Sequence, residues 1–389
     1  MTIEGPVVVS RKGQERIERG HPWVFRSDIE KDGGASPGAV VRVVDVRGTP
    51  LGFAFWSSRS EIRLRMLERG ETLSGSFLRD RIERALRWRE TVAAGAEAYR
   101  VVHGEGDRVP SLVVDRYGDY LAIQTLSQGT DGAKAEIVAL LVDLLKPRGI
   151  VERNDPRVRT LEGLEQTVSV LYGEVPDAVE VTEGDVRLRV DLCKGQKTGL
   201  FLDQRENHLA ARQYARGRVL DGFTYDGGFA LQVARQADEV TAVDLSAESL
   251  GRVKANAALN GFTNVTACDA NVFDLLHDLD QRGERFDTVV LDPPAFAKSK
   301  DAAPKAARGY KEINLRALKV LKPGGCLVTC SCSYHVHEDA FEAILAAAAV
   351  DARATVTVVE KRRQARDHPV VLGVPETYYL KCFVLRKLE

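Results

Sequence analysis

Two short stretches in the second half of the chain hold residues able to do covalent chemistry on a nucleobase. Thr329-Cys330-Ser331-Cys332-Ser333 follows an apolar run, and Asp292-Pro293-Pro294-Ala295-Phe296 lies a few dozen residues before it. A thiolate is a strong nucleophile, a carboxylate can hold the polar edge of a base, and an aromatic ring offers a stacking surface. Addition of a thiolate to a ring carbon activates the base. This pattern makes Cys332 the candidate nucleophile, Asp292 the group that steadies the polar edge of the base, and Phe296 the stacking ring. Cys330 and Cys332 are two apart and share a face in extended backbone, so spacing alone leaves the choice open. Cys332 lies farther beyond the strand, whereas Cys330 reads as a small apolar packing residue. The stretch continues to His335 and His337, but Cys-x-Cys is not a usual zinc spacing, and no metal is expected.

Those groups need a scaffold that brings distant loops to one edge. From about residue 181 the chain alternates strands and helices. The strands read as Val219–Asp221, Glu239–Asp244, Val265–Asp269, Thr288–Asp292 and Gly325–Thr329, with helices starting near Gly228, Ser246, Asn271 and Tyr310. This is the pattern of an α/β, doubly wound sheet that binds ligands at the carboxyl ends of its strands. Four of the strands end in an acid: Asp221, Asp244, Asp269 and Asp292.

The first loop, Asp221 to Phe229, carries Gly222, Gly227 and Gly228, which permit a tight turn and a close ligand. It is not G-x-G-x-x-G and holds no Lys, which disfavours a dinucleotide or a nucleoside triphosphate. Asp244 is placed to accept both ribose hydroxyls, with Ser246 as N-cap of the following helix. Asp269, with Ala270 beside it, is placed to accept from an adenine amino group. A Gly-rich loop followed by a ribose acid and an adenine acid points to S-adenosylmethionine.

At this point the chain resembles class I methyltransferases that act on large-subunit ribosomal RNA. The resemblance is carried by Lys194 to Asn207, Asp221 to Phe229, Leu291 to Phe296 with Lys298, Ser331-Cys332-Ser333, Asp367-His368-Pro369 and His21 to Arg26, and so spans nearly the whole chain. It implies an N-terminal PUA-type RNA-binding barrel, a middle domain, and a C-terminal Rossmann-like methyltransferase domain forming 5-methylcytosine in 23S rRNA. It also implies that Gln204 and Arg205 hold the methionine end of the cofactor, with Phe223 and Tyr225 as the pocket wall. His21 to Arg26 mixes aromatics with a cation, as RNA-contacting loops often do, although Trp23 and Phe25 read equally as barrel core; His21, Trp23, Arg26, Phe296 and Lys298 are the RNA-contacting candidates. Ala295 departs from the pattern of many 5-methylcytosine enzymes, which place a second Cys after Asp-Pro to assist proton removal. Asp367-His368 is the alternative base, or simply a turn before Pro369. Asp-Pro-Pro before an aromatic also suits methylation of guanine or another nitrogen without a covalent step, and that reading stands as the alternative.

The rest of the chain divides in outline at residues 1–70, 71–180 and 181–389. Residues up to 70 read as the strands Val7–Val9, Ala39–Val44, Leu51–Trp56 and Ile62–Met66, with one helix from Gln14 to Gly20, a small barrel. The middle part is mixed: helices over Phe77–Ala94 and Ala133–Leu145, and strands Ser111–Asp115, Leu121–Thr125 and Ile150–Arg153. With 29% charged residues and a formal net charge of -1, the chain is no basic nucleic-acid coat, so RNA must meet local patches. One such candidate is the Arg cluster at 59, 63, 65, 69, 79, 81, 84, 87 and 89; another is Lys361 to Arg366, which reads equally as a solvated helix end. Six irregularly spaced Cys and the lack of a leader or a membrane-length apolar run lead us to expect reduced thiols in a cytoplasmic enzyme with no membrane partner. The oligomeric state stays open, with a homodimer as one option.

Overall fold

The structure is a computed structural model describing residues 2–297 and 299–389. It forms two compact units. The first comprises Met1–Val181, Val190–Leu200 and Arg366–Thr377; the second comprises Thr182–Arg189, Phe201–Ala365 and Tyr378–Glu389.

In the first unit a six-stranded sheet runs in the order Trp23–Phe25, Ile62–Arg69, Pro50–Trp56, Val40–Val44, Ile3–Val9, Ile29–Lys31. Its single helix, Arg11–Glu18, begins at Ser10, whose hydroxyl accepts from Gly13 N–H, and ends where Gly20 adopts φ +91°. Gly20 N–H then reaches the Ile17 carbonyl and His21 N–H the Arg16 carbonyl, so the turn delivers His21 and Trp23 at a fixed angle. A five-stranded sheet follows in the order Thr167–Gly173, Gly149–Asn154, Tyr120–Thr125, Leu112–Tyr117, Ala98–His103. The helices Phe77–Val92 and Lys134–Leu145 fall where the apolar periodicity put them. Phe53, Phe55, Leu67, Ile82, Leu112 and Ile137 share one buried cluster across both sheets.

The Arg cluster does not act as one surface. Arg65, Arg81 and Arg89 are buried: Arg65 pairs with Glu162 at 2.7 Å, Arg81 with Glu68 at 3.2 Å, and Arg89 grips both oxygens of Asp107. Of the nine, Arg59, Arg69, Arg84 and Arg87 are exposed.

The second unit is a seven-stranded sheet whose strands we number in chain order: β1 Arg218–Gly222, β2 Glu239–Asp244, β3 Val265–Asp269, β4 Phe286–Leu291, β5 Leu321–Ser331, β6 Val356–Arg363 and β7 Lys381–Lys387. Its spatial order is β3-β2-β1-β4-β5-β7-β6. Strands β1 to β5 are parallel, and β7 runs antiparallel between β5 and β6. The order reverses between β1 and β4, and at such a switch point the loops part to leave a crevice. Helices α1 Arg205–Tyr214, α2 Gly228–Val233, α3 Ala247–Leu259, α4 Val272–Gln281, α5 Ala303–Val320 and α6 Glu338–Asp351 belong to this unit. Helix α5 starts seven residues before the expected Tyr310, because Pro304 is accepted in a helix's first turn. Lys361 to Arg363 end strand β6, not a helix, and Lys361 and Arg362 pair with Glu342 and Glu360. Among the described residues no helix is long and apolar enough to cross a membrane.

Candidate active site

The carboxyl ends of β1 and β4 are adjacent in register, with Gly222 opposite Leu291. Asp221 and Asp292 therefore project from neighbouring strand ends. Asp221 is 1% exposed, and burial pushes its carboxyl up to about 7 against the Thr224 hydroxyl, which donates to it at 2.7 Å. The charge of Asp292 pushes in the same direction.

The loop after β1 is bent by three left-handed residues in five: Phe223 at φ +66°, Tyr225 at +50° and Gly227 at +87°. For two aromatics that conformation costs about 1 kcal/mol or more each, and it persists only because the surroundings hold it. Tyr225 N–H donates to Asp244 Oδ2 at 3.0 Å, its ring meets Phe201 edge-on at 4.9 Å, and Arg252 lies 5.2 Å from its centroid. Asp244 accepts Ser246 N–H through its other oxygen, and Ser246 caps α3 by accepting from Ser249 N–H. Asp269 is exposed at the end of β3, and Ala270 N–H donates to the Asp244 carbonyl at 3.3 Å. The four acids thus line one edge of one sheet.

Gly228 opens α2 directly under the buried His208 ring, which is tied to Glu183 at 2.9 Å. A Cβ there would stand 2.4 Å from His208 Cε1. Gly228→Ala should therefore destabilise this unit by about 1–3 kcal/mol through overpacking and displace the loop. We expect a lower melting temperature together with at least about ten-fold weaker cofactor binding by titration calorimetry, a factor equal to ~1.4 kcal/mol.

Cys332 lies just past β5, partly exposed, with its Sγ 3.9 Å from the Pro293 carbonyl. The Cys-bearing turn is fastened to the Asp-Pro-Pro loop through Ser333. Its Oγ accepts Ala297 N–H at 3.1 Å and bonds the Tyr310 hydroxyl at 2.9 Å. Cys330 is fully buried opposite Cys382 on β7, and burial raises its thiol well above the ordinary value. The two thiols therefore face different environments. The Phe296 ring packs against Tyr310 at 4.6 Å and Phe273 at 6.0 Å, as part of the wall under the loop.

A model of S-adenosylmethionine-dependent methyltransferases matches residues 161–382, and a PUA-like domain model matches residues 7–69. Ribosomal RNA large subunit methyltransferase I of Klebsiella pneumoniae is 39% identical over 392 residues, covering 98% of each chain. The protein of that name from Enterobacter sp. is 39% identical over 390 residues, covering 97% of this chain and 98% of its own. The chain belongs to the S-adenosylmethionine-dependent methyltransferase family. Within the family, a Streptococcus mutans protein described as a SAM-dependent methyltransferase superposes with TM-score 0.82 at 21% identity, covering 99% of this chain and all of its own. A second methyltransferase structure, complexed with SAH, gives 0.83 at 21% identity over 99% of this chain and all of its own. At that identity the likeness speaks for the fold.

The methyltransferase cofactor carries a carboxylate, a ribose and an adenine, and the side chains suit such a group. Gln204 Oε1 accepts from Asn207 Nδ2 at 2.6 Å, while its buried Nε2 has no oxygen or nitrogen acceptor among the described residues and meets only the weakly accepting Cys330 sulfur. A buried donor of this kind costs about 1–3 kcal/mol until an acceptor arrives. Arg205, next in the chain, is buried at the start of α1.

The N-terminal candidates lie in the first unit. Val24 fills the core there, and alternation turns Trp23 and Phe25 to the other face, both half-buried. Trp23 Nε1 donates to Glu105 at 2.9 Å, His21 contacts Glu376 at 3.3 Å, and Arg26 is exposed beside Glu61. Lys298 lies outside the described residues. Asp367 and His368 also belong to the first unit, both buried; Asp367 accepts Arg100 N–H and contacts His368 Nδ1, while its carbonyl accepts from Arg89. That network makes the pair part of the scaffold around Pro369. Sequence reasoning missed Tyr310, Ser333 as a clasp, and Lys381, because each earns its place only through contacts between distant segments.

Proposed function

We propose that this methyltransferase forms 5-methylcytosine in 23S ribosomal RNA through a transient Cys332 adduct. The observation that carries the reading is the partly exposed Cys332 thiol lying against the Asp292-Pro293-Pro294 loop, joined to it by the Ser333 clasp. The ribosomal substrate follows from the names of the full-length relatives and from the PUA-like match at the N-terminus.

On this reading Cys332 Sγ adds to C6, and the C5=C6 electron pair moves to C5. Asp292 holds the exocyclic amine and N3, favouring the protonated ring that accepts attack. S-adenosylmethionine, when bound, supplies the methyl group that C5 takes up. Loss of the C5 proton to a base and departure of Sγ restore the aromatic ring. Gln204 and Arg205 take the carboxylate end of the cofactor, Asp244 the ribose and Asp269 with Ala270 the adenine. Asp221, Phe223, Tyr225, Gly227 and Ser246 shape the cradle, and Asp292 borders cofactor and base alike. His21, Trp23, Arg26, Phe296 and Lys298 meet the RNA. The setting is cytoplasmic, where the thiols stay reduced.

The test is nucleoside mass spectrometry of large-subunit RNA treated with the protein and S-adenosylmethionine. A rise in 5-methylcytosine is expected. Methylguanosine, or methyl on an exocyclic nitrogen, would overturn the cytosine reading in favour of non-covalent nitrogen methylation. RNA carrying 5-fluorocytidine, which has no C5 proton to lose, should accumulate a covalent complex stable to denaturing gels.

A further inference from the structure

We propose that Lys381 is a positioning residue that keeps Cys332 as the thiolate and fixes the turn that carries it. The part about catalysis rests on Cys332 being the nucleophile; the part about the thiolate does not.

Lys381 opens β7 directly opposite Ser331, one residue before the turn. It is 2% exposed. Its ammonium donates to the Ser333 carbonyl at 2.8 Å and the Tyr379 carbonyl at 2.9 Å, and among the described residues it forms no ion pair with a carboxylate. A buried cation without a bonded counter-ion is expensive, and fold stability alone would be served better by an apolar side chain. Burial acts most strongly on its amine and lowers it; the Cys332 sulfur, and after it Glu338, act in the opposite direction. Glu338, at the start of α6, is already engaged by the Tyr378 hydroxyl.

The other titratable groups around the turn do not replace Lys381. The Tyr310 phenol from α5 senses the same thiol, but burial raises it, so it stays neutral. Asp292, from the loop after β4, raises the neighbouring Cys330 thiol by its charge. Among the described residues Lys381 is the buried cation bonded to this turn, and it opposes that effect. The proton of the Cys332 thiol passes to solvent, and the sulfur keeps the electron pair beside an ammonium that stays protonated. Burial draws the Lys381 amine down to about 8, so the ion pair should weaken as pH rises past that value. The two carbonyl contacts explain why the cation is a lysine fixed by backbone: they hold the Ser333 peptide, and with it the direction of the preceding Sγ.

The experiment is the pH dependence of iodoacetamide alkylation at Cys332, followed by peptide mass spectrometry on full-length protein. Wild type, Lys381→Met and Lys381→Arg are compared, with Cys332→Ala identifying the peptide. Wild type should titrate below the ordinary thiol value near ~8.5, and Lys381→Met about one unit or more higher, or ~ten-fold slower alkylation near neutrality. Lys381→Arg should return the midpoint toward wild type. A wild-type midpoint at or above that of a free thiol overturns the proposal even if the Met variant fails to fold. A folded Met variant with an unchanged midpoint overturns it too. Should Cys332→Ala methylate RNA normally while the Lys381 effect on alkylation persists, only the nucleophile reading falls.

Discussion

Cys332→Ala should lose at least about 10³-fold in kcat for 5-methylcytosine formation while binding cofactor and RNA as wild type does. A loss of that size is ~4 kcal/mol of transition-state stabilisation, what removal of a covalent step rather than of a contact would cost. The side chain is partly exposed and its contact with the Pro293 carbonyl is long, so the stability it loses should come from the counter-charge it gives the buried Lys381, on the order of 1 kcal/mol. Cys330→Ala makes the matched control. That thiol is fully buried against Cys382, so its removal should cost on the order of 1 kcal/mol of stability and leave the chemistry in place. Single-turnover methyl transfer and thermal melts on both variants check the pair. Equal kcat in Cys332→Ala and wild type would remove the covalent mechanism, and a non-covalent nitrogen reaction would then fit better.

The contrast between these two thiols was only half legible in the sequence. Strands β1 and β4 are buried along nearly their whole length, so the acids at their carboxyl ends, Asp221 and Asp292, could be found by reading. Strand β6 could not. Its residues alternate poorly, it lies at the sheet edge, and its Lys-Arg-Arg ending imitates a helix terminus. Strand β7 is bracketed by charged residues, Lys381 and Arg386-Lys387, as an exposed segment would be, yet it sits between β5 and β6. The neighbourhood of Cys332 depends on that strand: Lys381 reaches Ser333 through antiparallel pairing with a segment fifty residues earlier. Register of that kind leaves no trace in local periodicity. The Arg cluster failed as a patch for a related reason, since a guanidinium buried on Glu162 or Asp107 has the same sequence signature as one facing RNA.

Asp221→Asn should make the protein more stable and a poorer enzyme. In the folded chain the Asp221 carboxyl is pushed up to about 7 by burial, with Asp292 adding to it, whereas the unfolded chain has its ordinary value of 3.8. The shift is upward for an acid, so folding penalises the ionised form. Below about pH 4 both states are protonated and the penalty is absent. It grows as pH rises from about 4, where the unfolded chain ionises first, and reaches its full size above about 7. At ~1.4 kcal/mol per unit that is on the order of 4 kcal/mol, an upper figure because the Thr224 hydroxyl and nearby water relax around the charge. Asparagine has nearly the same shape, accepts from Thr224, and carries no charge. The variant's gain in melting temperature should therefore be small near pH 4 and largest near pH 8. Cofactor affinity should fall at the same time, because the anion that destabilises the empty fold is one the cationic sulfonium favours. An unchanged melting temperature at pH 8 would mean that Asp221 is already neutral or well solvated in the free protein. A carboxylate kept at such expense, two residues before a strained aromatic loop, is what a site organised for a ligand rather than for stability should contain.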